Sequence, residues 1–237
     1  MKTLKEIDLI IDKENIGNKS YNLSLLKKNN INIPNGFVLE DNDIGNVKDE
    51  DIKEMLVKSN ISDSSKFAVR SSALGEDGNQ NSFAGIFKSK INIKKENILS
   101  SIEEINQSFY SRKSIVYQQI KKTTIKPQIL IQEMIKSKYS MVLFIKDNNI
   151  KFSLIEGSCE KIVSGEYNCS EFKFILNDLE IFISNIEKEQ LYLDIKIRSF
   201  FSILKRIQEI DNFKDNIDIE TTFDGNKWCI LQIRKLF

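Results

Sequence analysis

The sequence predicts an α+β protein, because segments with helical periodicity are interspersed with antiparallel hairpins. Apolar residues recur at helical spacing in three segments, which we predict to be helices: 20–28, 98–110 and about 190–210. Short apolar or alternating runs predict these strands: 36–39, 67–69, 86–93, 129–132, 141–145, 150–155, 217–223 and 228–233. Turn residues at 147–149 and 224–226 close two hairpins. The regular strand–helix–strand alternation of a parallel sheet does not occur in this pattern.

Composition limits the functions that the chain can have. Its 237 residues, 41% of them hydrophobic, suffice for one large core or two modest ones. The 35 basic and 34 acidic residues are mixed along the chain, so nothing indicates a nucleic-acid-binding or membrane surface. Charges within residues 1–8 and the absence of a long apolar stretch predict a cytoplasmic protein.

Cysteine and histidine usage narrows the chemistry further. The 3 cysteines are widely spaced without a C-x-x-C pair, which argues against a zinc site and against a disulfide framework. The chain contains no histidine at all. Any mechanism that needs an imidazole base, a histidine metal ligand or a phosphohistidine within this chain is therefore excluded.

A candidate phosphate-binding loop follows the predicted strand 67–69. The run 67–73 (FAVRSSA) delivers Arg70 and two serine hydroxyls into a glycine-containing loop, which continues through Glu76 and Asp77 to the run 82–85 (SFAG). Glycines let the backbone approach an anion, and arginine supplies a permanent planar charge. An arginine before a loop is also a common surface residue, and the residues alone leave both interpretations open.

A second candidate phosphate ligand, Lys19, stands at the start of the first predicted helix. Gly17 opens this helix in the run 17–23 (GNKSYNL), and the run 33–39 (IPNGFVL) follows. A lysine ammonium beside the N–H groups of a helix start is a favourable arrangement for polyphosphate. The alternative is an ordinary solvated lysine, which the residues alone favour.

The last predicted hairpin carries a candidate cation site. If residues 225–227 form a three-residue loop, Asp224 pairs with Trp228. Counting back from that turn gives two further cross-strand pairs: Glu220 with Gln232, and Asp218 with Arg234. Side chains alternate along a strand, so these four share one face. Two carboxylates and an amide oxygen suit a hard cation such as Mg²⁺, and the arginine remains to meet a phosphate. A polar outer face on an edge hairpin is the common alternative, and a loop of another length would break the register.

These runs resemble, in family order, the nucleotide-binding domain of phosphoenolpyruvate synthase and pyruvate phosphate dikinase. The resemblance extends from Gly17 to Arg234 and implies an ATP-grasp-like fold, in which two lobes clamp ATP: residues 1–125 with the lysine helix and arginine loop, and residues 126–237 with the metal-binding hairpin. Ser20 stands where the family has glycine. The resemblance implies phosphate ligands at Lys19, Arg70 and Arg234, and a Mg²⁺ site at Asp218, Glu220 and Gln232.

Two central motifs resemble the same family. The run 128–134 (QILIQEM), followed by 141–144 (MVLF), is similar to the family's V-Q-x-M-V and G-V-L-F pair. This likeness implies that three residues lie against adenine: Gln132, Glu133 and Met134. The run 156–165 is similar to the family's G-L-G-E-x-V-V-x-G, and Glu160 within it is either a site carboxylate or a loop charge.

The resemblance implies an ATP-dependent phosphotransferase. In the family a phosphoryl group passes from ATP to a histidine, and full-length relatives continue into a swivelling phosphohistidine domain and a phosphoenolpyruvate-binding barrel. Because this chain has no histidine and ends at Phe237, we expect a domain that stands alone and serves a separate phosphohistidine protein or a small-molecule acceptor. Two alternatives stay open: a module that binds ATP without turnover, and a small-molecule kinase that needs no phosphohistidine carrier.

Overall fold

The computed structural model describes residues 4–7, 16–74, 77–78, 81–82, 86–147, 149–159, 170–175, 188–214 and 216–236. The chain divides into two compact units: Met1–Lys28 with Ile33–Ile135, and Asn29–Asn32 with Lys136–Phe237. The division falls later than the expected boundary between residues 125 and 126, because strand Gln128–Glu133 pairs on both sides within the first unit. Among the described residues, no helix combines the length and apolar character needed to cross a bilayer.

The first unit is built on a five-stranded antiparallel sheet with strand order β1-β2-β7-β3-β6, and β4 pairs separately with β5. Its elements in chain order are β1 (Leu4–Glu6), α1 (Asn18–Lys28), β2 (Gly36–Glu40), α2 (Asp41–Ile44), α3 (Asp49–Lys58), β3 (Phe67–Ser71), β4 (Asp77–Gly78), β5 (Asn81–Ser82), β6 (Ser89–Ile93), a 3₁₀ turn (Lys95–Asn97), α4 (Ile98–Phe109), α5 (Arg112–Lys121) and β7 (Gln128–Glu133).

One face of this sheet carries a large apolar core. Phe67 and Val69 of β3 lie on it beside Ile131 of β7. Helices α3 and α4 cover them with these apolar side chains: Ile52, Met55, Leu56, Ile98, Ile102, Ile105 and Phe109. The helical spacing in α4 predicted this packing. Because side chains alternate along a strand, Arg70 and Gln132 lie on the opposite face.

The second unit has the same kind of sheet, again with five antiparallel strands, in the order β10-β9-β8-β11-β12. Its elements are β8 (Tyr139–Lys146), β9 (Asn149–Glu156), β10 (Ser170–Ile175), α6 (Lys188–Gln208), a 3₁₀ turn (Asp211–Phe213), β11 (Ile217–Phe223) and β12 (Trp228–Lys235).

Helix α6 packs on one face of the second sheet through aromatic contacts. Phe200 lies 5.2 Å from Trp228 and Phe201 lies 6.3 Å from Phe152, measured between ring centroids. The indole Nε1 of Trp228 also donates to the carbonyl of Lys196 at 2.8 Å. The other face of the sheet, which carries Asp218 and Glu220, is turned away from this helix.

The predicted helices and strands are all present, with ends moved by a few residues; the strand expected at 86–93 is confined to Ser89–Ile93. The structure adds elements that the apolar spacing did not indicate: β1, α2, α3, α5 and β10. Helix α3 begins with three acidic residues, which favour a helix N-terminus, and the Asp51 carboxylate accepts from the Lys48 N–H at 2.8 Å. Helix α5 was not predicted because Tyr117 is the one hydrophobic side chain of this helix that packs against the core, so no repeated apolar spacing marks a buried face.

Candidate functional site

The start of α1 and the end of β3 meet in the first unit. The Ser20 N–H donates to Ser72 Oγ at 3.2 Å, and the two serine hydroxyls lie 2.8 Å apart. The Gly17 N–H donates to Gln128 Oε1 at 2.7 Å. First-turn N–H groups of a helix have no partner within the helix, so Ser72 acts as a cap supplied from outside it.

Gly17 makes this meeting possible. A Cβ atom at this position would lie 1.6 Å from the carbonyl oxygen of Ser72, so no other residue fits without moving the helix. Gly17 therefore allows the start of α1 to approach the backbone at Ser72, rather than allowing a ligand to approach the backbone. It brings together the two motifs that contain Lys19 and Arg70, which the sequence places about fifty residues apart.

Lys19 and Arg70 are both half-buried. Arg70 lies in β3 opposite Leu130, on the sheet face that also carries Gln132. The rest of the arginine motif is only partly described: Asp77 and Ser82 pair across a short hairpin, whereas Gly75, Glu76 and residues 83–85 lie outside the described residues. Two cationic side chains and a capped helix start thus belong to one region of the first unit.

The three residues expected against adenine are separated by the structure. Gln132 is buried on the Arg70 face. Glu133 lies on the other face, where Oε1 accepts from Ser65 Oγ at 2.6 Å and Oε2 accepts from Asn35 Nδ2 at 3.4 Å. Its backbone N–H donates to the Asn35 carbonyl, so the Glu133 side chain and N–H both serve the fold.

Met134 follows the end of β7 and is tied to the first unit. Its N–H donates to the Lys66 carbonyl at 2.8 Å, and its Sδ accepts from the Asn92 N–H at 3.0 Å. The backbone donors of both Glu133 and Met134 are therefore occupied by protein carbonyls.

In the second unit, the predicted register of the last hairpin is confirmed at its far end and wrong at its turn. Glu220 lies opposite Gln232, and Asp218 lies opposite Arg234. Asp224, however, does not pair with Trp228; Phe223 does, and the connection is a four-residue turn. The Asp224 carboxylate closes this turn by accepting from the N–H groups of Asn226 (2.7 Å) and Lys227 (2.9 Å). That local hydrogen bonding explains the longer loop.

A β-bulge restores the register. Thr221 pairs with Ile230 and Glu220 pairs with Gln232, so Leu231 is the extra residue. The bulge also changes which face the strand presents. Ile230 joins the face of α6, while Gln232 joins the face of Glu220, although both positions have the same parity.

Asp218 and Arg234 form a bidentate ion pair. Arg234 Nε donates to both carboxylate oxygens, at 3.1 and 3.0 Å, and Nη2 also donates to Oδ2. The Asp218 side chain is only 6% exposed and that of Arg234 is 31% exposed. The pair fixes the plane of the guanidinium at the rim of the face that carries Glu220 and Gln232.

The donor set on this face fits a hard cation. Glu220 is half-buried and Gln232 is buried directly opposite it, so a carboxylate and an amide lie side by side. The Asp218 carboxylate, held by Arg234, completes the acidic part of the face. Among the described residues, no group of three or more His, Cys, Asp or Glu side chains is placed to hold a metal ion, and the candidate set on this face includes an amide.

Polar groups near the turn of the last hairpin, Ser140 and Thr222, were not indicated by any sequence motif. Ser140 Oγ donates to the Gly157 carbonyl at 2.6 Å and lies 3.1 Å from Thr222 Oγ1. Thr222 follows Asp218 and Glu220 at the period of a strand, which would have placed it on their face. A cavity of about 850 Å³ adjoins these groups and is lined by Lys136, Ser137, Lys138, Ile155, Glu156, Gly157 and Asp224. Glu160 lies outside the described residues.

Comparison with known proteins identifies the fold and the family. The pyruvate phosphate dikinase AMP/ATP-binding domain family matches residues 49–199. The uncharacterized phosphotransferase YvkC of Bacillus subtilis is 27% identical over 213 residues, which cover 75% of this chain and 25% of that protein. This chain therefore spans about a quarter of the length of the curated relative it matches.

Two solved structures are similar over nearly the whole chain. PH1788 from Pyrococcus horikoshii has a TM-score of 0.55 at 10% identity, covering 91% of this chain and 88% of that one. The dinucleotide-forming acetyl-coenzyme A synthetase 1 of Ca. Korarchaeum cryptofilum has a TM-score of 0.54 at 9% identity, covering 91% and 90%. At these identities the likeness concerns the fold alone. The two antiparallel sheets with their helices form an ATP-grasp-like fold, as predicted. Because the family matches residues 49–199, more than half of the chain, this chain belongs to the pyruvate phosphate dikinase AMP/ATP-binding domain family.

Proposed function

We propose that this chain binds Mg-ATP and is the nucleotide-binding component of a phosphotransferase, passing a phosphoryl group from ATP to a histidine on a separate protein. The observation that carries the proposal is the hairpin register, which gathers two carboxylates, an amide and an arginine on the sheet face away from α6. Membership of an AMP/ATP-binding domain family supports the nucleotide. The name of the Bacillus subtilis relative supports phosphoryl transfer.

In the second unit, Glu220 and Gln232 would hold the cation. A Mg²⁺ ion held there would supply positive charge that offsets the negative charge of the transferred group. Asp218 has two roles in this proposal: it adds negative charge beside the cation, and it orients Arg234 toward a phosphate. An arginine held in one plane loses little further side-chain entropy when it binds phosphate oxygens.

In the first unit, Lys19 and Arg70 would neutralise the remaining phosphate oxygens. Phosphoryl transfer needs little covalent chemistry from the protein, so positioned charges supply most of the rate enhancement. The Gly17–Ser72 contact would keep the lysine helix and the arginine strand in a constant relation. Ser20, in place of the family's glycine, strengthens that contact through its hydroxyl rather than opening the backbone to a ligand.

The nucleotide base would be met by Gln132, the one residue of the adenine trio that shares the Arg70 face. Glu133 and Met134 would contribute only through carbonyl groups, because their N–H groups are already donated to Asn35 and Lys66. In the second unit, the cavity beside Lys136 and Lys138 has a volume that suits a ligand of nucleotide size, which supports nucleotide binding by that unit.

Nucleotide binding is tested first, by calorimetry and thermal shift with Mg-ATP on the chain alone. A ligand that prefers the native state must raise the apparent stability of the protein. Binding heat and a raised melting temperature are expected. If neither is seen at millimolar nucleotide, the binding proposal is wrong.

Phosphoryl transfer is tested with ATP labelled in the β and γ positions and a histidine-containing swivelling domain from the same organism. We expect AMP, orthophosphate and an acid-labile, base-stable label on the added domain, with none on this chain, which has no histidine. Glu220→Gln should lower transfer by about a hundredfold or more, because the cation that offsets the charge of the transferred phosphate loses a carboxylate ligand. The matched control is Glu209→Gln, which changes an exposed carboxylate of the same unit. ADP as product would indicate a small-molecule kinase, and no product despite binding would indicate a non-catalytic module.

A further inference from the structure

Helix α5 (Arg112–Lys121) turns its apolar side chains away from the protein. Ile115, Val116 and Ile120 are 46%, 44% and 70% exposed. At about 100° per residue they lie within an arc about 140° wide, and Ser114 lies on the opposite side of the helix. Ser114 is buried. Tyr117 is the exception: it packs against the core of the first unit, while the three aliphatic side chains form an exposed strip.

Polar bonds hold the inward side of α5. Gln118 donates from Nε2 to Ser114 Oγ at 3.1 Å and accepts from the Ile125 N–H at 3.2 Å. Ser111 caps the helix by accepting from the Ser114 N–H at 3.3 Å. The first unit therefore does not bury the outward isoleucines and valine in order to fold.

The contrast with α4, the preceding helix, is sharp. Its residues Ile98, Ile102, Ile105 and Phe109 are at most 1% exposed. On α5, β-branched residues occupy exposed positions, where they are poor helix formers and gain nothing from burial. A cluster of exposed apolar side chains on one helix face is typical of a surface that binds another molecule.

A groove lies beside the apolar strip. It has a volume of about 400 Å³ and is lined by Ile115, Gln118, Gln119, Lys122, Thr123 and Thr124. Lys122 ends the helix in the left-handed conformation, with φ at 49°, and so turns the chain to form the far wall. Such a concavity beside an apolar ridge suits a protruding apolar side chain of a partner.

The segment that contains the strip is basic. No Asp or Glu occurs between residues 105 and 132, whereas five basic residues do: Arg112, Lys113, Lys121, Lys122 and Lys126. The preceding carboxylate, Glu104, is engaged by Lys90 at 2.7 Å. In a chain with net charge +1 this is a strongly one-signed segment. An occupant of this surface must therefore supply the negative charge.

We propose that the outward face of α5 docks an acidic amphipathic helix of another protein. Apolar side chains of the partner would cover Ile115, Val116 and Ile120, with one entering the groove, and its carboxylates would meet the surrounding basic residues. The face has no Trp, Phe or Leu of the kind that anchors helices in bilayers, which favours a protein over a lipid surface. One helix face is a small interface, so the complex should be transient and salt-sensitive. This inference is independent of the proposed nucleotide chemistry.

The test uses the full chain and fluorescence anisotropy. The probe is a fluorescein-labelled helical peptide with leucines along one face and glutamates elsewhere, and its control replaces every glutamate with lysine. We expect only the acidic peptide to bind. Ile120→Ser should weaken binding about tenfold or more, because a largely exposed side chain that becomes buried in the complex is lost. The control Val57→Ser, at a 79% exposed position on α3, should leave the affinity unchanged.

Other results would overturn the proposal. It fails if the acidic peptide does not bind, if the lysine peptide binds equally well, or if Ile120→Ser has no effect. Binding to phosphatidylserine vesicles that depends on Ile120, without peptide binding, would make the face a membrane surface. Self-association of the wild type in sedimentation that Ile120→Ser abolishes would make its occupant a second copy of this chain.

Discussion

The candidate ligands fall into two halves, one in each unit, and these halves are assembled in different ways. In the first unit, Lys19 and Arg70 belong to segments joined by a contact between Ser20 and Ser72, which are 52 positions apart. In the second unit, Asp218 and Arg234 belong to adjacent strands of one hairpin and bind each other directly. The first half depends on how a helix packs against a strand end, and the second depends on the register of a single turn.

This difference has a physical consequence for what each half tolerates. A hairpin can absorb an error at its turn with a bulge, as Leu231 shows, because ladder pairing resumes beyond it. A backbone contact with no space for one carbon atom cannot adjust in the same way, since interiors are closely packed. The first half should therefore be more sensitive to small changes than the second.

The largest effect is expected at Gly17. Gly17→Ala would place a Cβ 1.6 Å from the Ser72 carbonyl oxygen, so α1 must shift and lose its cap. We expect a loss of about 3 kcal/mol or more in the free energy of unfolding, measured by urea denaturation. Gly45→Ala is the control, because nothing lies within 4 Å of a Cβ built there; it should change stability by less than about 0.5 kcal/mol. Equal effects of the two substitutions would contradict the close contact.

Breaking the ion pair of the second half should have the next largest effect. Asp218→Asn leaves a partly buried guanidinium without its charge partner, which we expect to cost about 2 kcal/mol. The control is Asp211→Asn, which removes an exposed ion pair with Lys214 at 2.6 Å. Since Asp211 is 92% exposed, we expect no resolvable change in the same unfolding measurement. A similar cost at both sites would mean that burial does not distinguish them.

A double-mutant cycle on the two serines sharpens the comparison. Ser72→Ala removes the cap of α1 and should cost about 1 kcal/mol, as other N-cap losses do. Ser20→Ala should cost less, because its N–H keeps Ser72 as acceptor. Because the hydroxyls contact each other, the double variant should lose less than the sum of the single losses. Strict additivity would show that the 2.8 Å contact contributes nothing.

The smallest effect concerns a solvent-accessible ion pair of the first unit, between Lys90 and Glu104. The hydrogen bond from Lys90, and then the charges of Lys90 and Lys88, hold the pKa of Glu104 below its ordinary value. The resulting stabilisation is present above the unfolded-state pKa and is lost as pH falls through the folded-state pKa. Lys90→Met should raise the pKa of Glu104, which an NMR titration of its side chain would detect. An unchanged pKa would show that this exposed pair does not form in solution.

The register of the last hairpin shows what the two-residue period of a strand can predict and what it cannot. Counting back from a turn that is one residue too short still placed two cross-strand pairs correctly: Asp218 with Arg234, and Glu220 with Gln232. The bulge offset the error, and no rule of local spacing predicts a bulge at Leu231. It follows from packing, because Trp228 and Ile230 must face α6 while Gln232 must face Glu220.

Helix α5 shows the opposite limit. Its aliphatic residues are spaced as on one face of a helix, but that face is exposed rather than buried. The structure turns Ser114, Tyr117 and Gln118 inward. Tyr117 packs against the apolar core, and Ser114 and Gln118 satisfy each other and the Ile125 N–H. Sequence periodicity therefore located the buried face of α4 and not that of α5.

By itself the sequence determined the α+β class, the order of the motifs, the absence of any histidine and the face shared by Asp218, Glu220, Gln232 and Arg234. These follow from local rules, since helix and strand periods and hairpin pairing act over a few residues. Only the tertiary structure decided that Gly17 touches Ser72, that Gln132 shares a sheet face with Arg70, and that Asp218 binds Arg234 rather than facing solvent. These depend on which distant backbone and side-chain groups satisfy one another once the chain is packed, and a linear pattern does not contain that information.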